Sequence, residues 1–198
     1  MRKLTIIVLN LFWISSSAQK ESDLKFIILN KSVEDRDCLN IYIENKSSKD
    51  YYILFDKKKT IRHFTTNEVY YTNIVLSDDK NTVIDDEITN YQCYDAETED
   101  KLKELTNKIE IIKIKSAQKI KFKIPFLMKT KVNDYCWYGY QKEFMSKKNK
   151  YFVSFEYKMY IETDKDIIPI STKDSLKQMG YELYNKEINS NKVPLILK

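Results

Sequence analysis

Residues 39–55 read LNIYIENKSSKDYYILF, and this stretch decides the fold. Leu39, Ile41 and Ile43 alternate with Asn40, Tyr42 and Glu44. A side-chain period of two belongs to a strand with one face buried and one face wet. Six polar residues follow, Asn45, Lys46, Ser47, Ser48, Lys49 and Asp50, and these are turn-forming types. Tyr51, Tyr52, Ile53, Leu54 and Phe55 then make a second run suited to a strand. The pattern predicts a β-hairpin.

Strand patterns continue on both sides. Upstream, residues 24–29 (LKFIIL) are apolar on both faces, which predicts a central strand, and 30–37 predict a loop. Downstream, 68–76 (EVYYTNIVL) predict a long strand. Residues 108–115 (KIEIIKIK) predict another, with Ile111 and Ile112 breaking the alternation as a bulge would. In 119–126, Ile120, Phe122, Ile124 and Phe126 share one face, and Lys119, Lys121 and Lys123 share the other. That is the pattern of an antiparallel sheet facing core on one side and water on the other, with lysines that discourage edge pairing. Residues 151–161 alternate in the same way. Residues 181–188 and 193–197 close the chain as strands, with Pro194 marking an edge or the start of a pairing.

Helices are few. Residues 171–180 predict one short helix, with Ser171 or Thr172 as N-cap, Leu176 and Met179 inward and Gly180 as its stop. Residues 95–107 predict a second, capped by Asp95 or Thr98, inside an acidic excursion over about 77–107. The sum is an all-β, antiparallel sandwich of about seven to nine strands, with one or two short helices in connections. With no internal repeat and no linker composition, residues 19–198 form a single domain.

The first eighteen residues have a different character. Arg2 and Lys3 precede an apolar run over 4–14, and Ser16 and Ala18 are small residues at −3 and −1 before Gln19. This is the pattern of a cleaved secretory signal, with a core within ~7–15 residues and below the ~20 of a membrane span. The expectation is a periplasmic or extracellular protein, with no membrane span in the mature chain. Loss of Arg2 and Lys3 leaves 32 basic and 29 acidic side chains, interspersed along the chain. That mixture does not predict a nucleic-acid partner, which calls for a clustered positive excess.

Composition argues against several chemistries. Two glycines, Gly139 and Gly180, do not make a phosphate-cradling loop or a glycine-flanked nucleophile. One histidine, His63, does not make a zinc-protease motif. The acidic clusters Asp78-Asp79 and Asp85-Asp86-Glu87 lack the alternating ligands and glycine of a calcium loop and read as solvated. Hence no catalytic residue, metal or cofactor is predicted, and the chain is expected not to be an enzyme. A two-carboxylate hydrolase remains formally open, but no pair stands out among the acids.

Three cysteines leave one over. Cys93 and Cys136, in the similar settings YQCY and YCWY, are the disulfide candidates, with Cys38 free. The alternative is three reduced cysteines packed as small hydrophobes. The aromatic cluster over 133–144, NDYCWYGYQKEF, is the candidate binding feature, with Tyr135, Trp137 and Tyr140 as its residues. It predicts an anchor for a protein partner or a stacking face for sugars, against the plainer reading that these rings fill the core.

The signal ending SSSAQ, the Asn45-Lys46-Ser47 connection and the closing segment YELYNKEINSNKVPLIL resemble small exported proteins of Bacteroidota. The resemblance implies an immunoglobulin-like sandwich and a periplasmic or surface location, and it carries no site residues. The functional expectation is a non-enzymatic protein that binds another protein, as an inhibitor or immunity-type protein would. The alternative is a carbohydrate-binding module using the aromatics around Trp137. Two sequons, at Asn30 and Asn45, read as accidents of an Asn- and Lys-rich composition.

Overall fold

The computed structural model describes residues 22–55, 70–84, 87–88, 110–131, 137–140, 145–146, 148–159 and 168–198, with backbone alone at 70–71, 87–88, 130–131 and 137–138. In chain order these residues form β1 (Leu24–Ile28), β2 (Val33–Glu34), β3 (Cys38–Asn45), β4 (Asp50–Phe55), β5 (Tyr70–Asp78), β6 (Val83–Ile84), β7 (Glu87–Ile88) and β8 (Glu110–Ile114). Then come β9 (Lys119–Pro125), β10 (Lys129–Lys131), β11 (Trp137–Gly139), β12 (Tyr151–Met159), helix α1 (Ile170–Gln178), β13 (Tyr181–Leu183), β14 (Ile188–Asn189) and β15 (Val193–Ile196). The fold is all-β and sandwich-like. Seven of the described strands have five or more residues, and the others are short pieces at the margins.

The stretch 39–55 does form two strands, but they do not pair with each other. β3 lies between β1 and β9, whereas β4 lies between β13 and β8. The chain crosses from one sheet to another at 45–50, so the predicted hairpin is in fact a corner. The connection from β8 to β9 makes the same crossing beside it. β3 pairs antiparallel with β9 from Cys38↔Pro125 to Glu44↔Lys119, and β4 pairs with β8 from Tyr51↔Ile114 to Phe55↔Glu110. The result is one two-stranded ladder bent between two sheets.

Asn45 makes the bend possible. It is 1% exposed. Its amide donates to the carbonyls of Lys49 at 2.7 Å, Ile114 at 3.3 Å and Lys115 at 3.1 Å. Its Oδ1 accepts from the Ser47 N–H at 2.9 Å and the Ser47 hydroxyl at 2.8 Å. The second crossing is braced by Asp50, which accepts the Ser116 N–H at 2.7 Å, and by Ser116, whose hydroxyl donates to the Ser47 carbonyl at 2.8 Å. A buried backbone group without a partner costs as much as a lost hydrogen bond, and here side chains replace the interrupted ladder.

A six-stranded sheet faces this ladder. Its order is β2-β15-β12-β5-β6, with β14 also on β12, and β12 pairs with β5 over nine residues, Tyr151↔Asp78 to Met159↔Tyr70. Four phenylalanines fill the interior where the sheets meet: Phe26 of β1, Phe55 of β4, Phe122 of β9 and Phe155 of β12. Ring centroids are 5.0 Å apart for Phe26–Phe155 and 4.8 Å for Phe55–Phe122, both edge-on. Each such ring contributes about 1.5–3 kcal/mol by leaving water, and edge-on pairs add about 0.5–1.5 kcal/mol.

Several local expectations are corrected. β1 is the edge of its three-stranded sheet rather than a central strand. Only Leu24, Phe26 and Ile28 turn inward, while Lys25 and Ile27 face out. Register runs unbroken through Ile111 and Ile112, so there is no bulge. Two pairings are parallel, β13 with β4 and β15 with β2. Pro194 opposes Phe152 of β12, and pairing with β2 begins one residue later at Leu195, so the missing N–H is tolerated. The N-cap position of α1 is Pro169, whose ring has no acceptor to cap with, and its carbonyl accepts from Thr172 and Lys173. Leu176 is buried, but Met179 is 49% exposed. Gly180, at φ +84°, ends the helix as expected. The signal segment 1–18 and the helix expected at 95–107 lie outside the described residues.

Polar ties close the start of the described chain. Tyr51 donates to Asp23 at 3.2 Å, Lys186 pairs with the same carboxylate at 3.3 Å, and the Ser22 and Tyr184 hydroxyls are 2.6 Å apart. Burial pushes the Tyr51 phenol above its ordinary value, and the Asp23 charge pushes it further. The hydrogen bond to Asp23 likewise raises Lys186.

Two outcomes follow from this geometry. Asn45→Ala should lose about 2–3 kcal/mol, because three corner carbonyls, one of them buried, lose the Asn45 amide and Ser47 loses its acceptor. A lowered urea midpoint at unchanged m-value would show it, and an unchanged midpoint would refute the role of the corner. Tyr51 and Lys186 both have folded values above their unfolded ones, so their stabilisation is present below about pH 10 and is lost as pH rises beyond it. The urea midpoint should therefore fall above about pH 10, and Tyr51→Phe should make that fall shallower.

Candidate functional site

The aromatic segment can be built up from its C-terminal end. Gly139 closes β11 with φ +144°, a conformation that suits glycine. A Cβ at this position would lie 2.1 Å from the Met128 carbonyl oxygen. That close approach lets Tyr140 donate its N–H to the same oxygen at 2.7 Å. Met128 is held in turn, its N–H donating to the Asp35 carboxylate at 2.8 Å. Tyr140 is 7% exposed, and its hydroxyl donates to the Ile74 carbonyl of β5 at 2.8 Å. Residues 137–140 are thus bolted to the large sheet at one point and to the β9–β10 connection at another.

β11 is the middle strand of a small sheet, β10-β11-β7. Trp137 opposes Lys131, and Tyr138 opposes both Thr130 and Ile88. Through β7, the acidic excursion comes back to pair with the aromatic segment. Of the three binding candidates, Tyr140 belongs to the buried mount and not to an exposed stacking face. Trp137 is placed by its backbone in β11. Tyr135, and the disulfide candidates Cys93 and Cys136, lie outside the described residues. Cys38 is a free, exposed thiol at the start of β3. His63 also lies outside.

Gly139, Met128, Asp35 and Ile74 were not singled out from sequence. Gly139 alone had a signal, as one of two glycines in 198 residues. The chemistry available at the mount is positioning. The Tyr140 hydroxyl and the Asp35 carboxylate are both committed to backbone groups. Beside it is a cleft of about 160 Å³ lined by Glu34, Asp35, Met128 and residues 195–198, with Glu34 paired to Lys198.

Acidic residues at the start of the excursion are also structural. The Asp78 carboxylate accepts the N–H groups of Lys80 at 2.9 Å and Thr82 at 2.7 Å. Desolvation pushes its pKa up, but these bonds outweigh it and hold the carboxyl below its ordinary value. Among the described residues, no three His, Cys, Asp or Glu side chains gather as metal ligands. Compared with known proteins, the chain matches no family model, no curated protein and no solved structure.

The mount makes a sharp prediction. Gly139→Ala forces a side chain into the Met128 carbonyl and should destabilise by about 3 kcal/mol or more, from clash and strain together. Tyr140→Phe, which removes one hydrogen bond and leaves the ring, should cost about 1 kcal/mol. Thermal unfolding of the two variants side by side would show this order, and equal stabilities would refute it.

Proposed function

We propose that this chain is an exported, non-enzymatic β-sandwich protein that binds another protein in the periplasm or at the cell surface, as an inhibitor or immunity-type protein does. The observation that carries this reading is the rigid mount of the aromatic segment. A glycine in close backbone approach, a buried tyrosine and two backbone anchors fix residues 137–140 against the large sheet. Such pre-organisation lowers the ordering cost of recognition. Aromatic residues are the side chains that most often dominate interfaces. Export rests on the signal pattern of residues 1–18.

A pull-down from the native envelope fraction tests the reading, with the mature chain and its Trp137→Ala variant as paired baits. The expected result is one stoichiometric partner held by the first bait and lost by the second. Capture of nothing by either bait, with quenching of Trp137 fluorescence by a glycan, would overturn the protein-partner reading in favour of carbohydrate binding.

A further inference from the structure

The outward face of the β1-β3-β9 sheet carries an unbalanced charge. Its side chains fall in rows across the three strands. One row is Lys25–Glu44–Lys119 and the next is Ile27–Tyr42–Lys121. A third joins Leu29, whose N–H donates to the Asn40 carbonyl at 2.8 Å, to Asn40 and Lys123. Glu44 is the face's one carboxylate among these residues, and Lys119 holds it at 3.0 Å while lying 5.3 Å over the Tyr42 ring. Lys25, Lys121 and Lys123 are exposed and have no ion pair among the described residues. Between the last two and Leu29 lies an open depression of about 410 Å³, lined also by Asn40, Ile41 and Phe122. Leu29 is 44% exposed at its rim.

We propose that this face docks an extended acidic segment of a protein partner. The proposal rests on the protein-binding reading but places a contact away from Trp137. Two features favour a polypeptide over a glycan. Lysines two apart on a strand stand about 6.6–7 Å apart, and carboxylates two apart on an extended peptide repeat at that same spacing. The apolar residues beside them, Leu29 and Ile27, are aliphatic, and the ring between Ile27 and Lys121, Tyr42, already has the Lys119 ammonium 5.3 Å over it, so the face offers packing for side chains rather than an open aromatic platform for sugar rings.

Edge lysines also guard against aggregation, and the sign of the charge separates the two roles. Glutamate at the same positions would keep the guard and abolish the docking.

The test uses labelled poly-L-glutamate as probe, followed by fluorescence anisotropy with the purified mature chain. Binding should be measurable at about 20 mM salt and weaken markedly by about 200 mM. Lys121→Glu with Lys123→Glu should weaken it about tenfold or more, whereas the equal charge change Lys148→Glu with Lys177→Glu, on other surfaces, should change it less than about threefold. All four lysines are exposed, and circular dichroism would verify folding. No binding by the unmodified chain, or equal losses in the two double variants, would overturn the proposal. So would tighter binding of polygalacturonate than of polyglutamate. Any of these could occur while the Trp137-dependent capture still held, so the two readings fail separately.

Discussion

A strand that leaves one sheet for another must abandon its ladder, and every backbone polar group at the crossing then needs a new partner. In this chain the requirement falls on residue 45. The Asn45 side chain reaches carbonyls on both arms of the corner, from Lys49 on one and Ile114 and Lys115 on the other. An amide has the inventory for it, with two donor hydrogens and an acceptor oxygen on one short stem. An aspartate would lack the donors, and a leucine would offer neither donors to the carbonyls nor an acceptor to Ser47. Because both strands bend at the same level, one side chain ties the two crossings together, and Asp50 and Ser116 brace the second. The positions of β4, β8 and everything packed on them follow from it.

The corner has its reward in the core. Bending the ladder brings Phe55 from one of its sheets and Phe122 from the other to within 4.8 Å, and both lie near Phe155 of the facing sheet. An unbent ladder would hold those two rings on separate stretches of one sheet. The facing sheet is stitched on by the same kind of bond. Asn191 accepts from the Ile28 N–H at 2.8 Å and returns a bond to the Ile28 carbonyl at 3.1 Å, so a side-chain amide stands in for a strand against the edge of β1. Nearby, the Ser190 hydroxyl accepts the Phe155 N–H at 2.8 Å. Polar side chains at sheet margins thus complete what apolar rings at the centre begin.

Strand character was legible wherever one face is buried and the other is wet, as in β9, because a period of two records that asymmetry directly. Partnership was not legible. The pattern strand–polar six–strand is the same for a hairpin and for a corner. The difference lies in what Asn45 touches sixty-nine and seventy residues away. β1 looked central because Ile27 and Leu29 add apolar residues to its outer face, although that face is open. The helix cap was misjudged because Ser171 and Thr172 have capping side chains, whereas Pro169 does the work with its carbonyl alone. At the aromatic cluster, composition could not separate core from surface. Tyr140 and Trp137 look alike in sequence, and what sorts Tyr140 inward is a carbonyl on β5 that no local pattern encodes.

The scarcity of glycine and the abundance of asparagine belong together in this light. A chain with two glycines has few residues at ease with positive φ, and among the described non-glycine residues Arg36, Asn81 and Ala117 adopt it. These three sit in tight turns at 34–37, 78–81 and 115–118, and side-chain amides brace other reversal points. Asn30 brackets the β1–β3 connection by donating to the Cys38 carbonyl and accepting the Asn40 N–H, as Asn45 brackets the corner and Asn191 the sheet margin. The sequons at Asn30 and Asn45 are therefore not idle composition. Their amides are committed to backbone groups, and a glycan at Asn45 would require opening the corner itself. A framework braced by side chains in this way leaves its outer faces free to vary. Lys121 and Lys123 of β9, to which docking of an acidic segment is assigned, stand on that framework exposed and without an ion pair among the described residues.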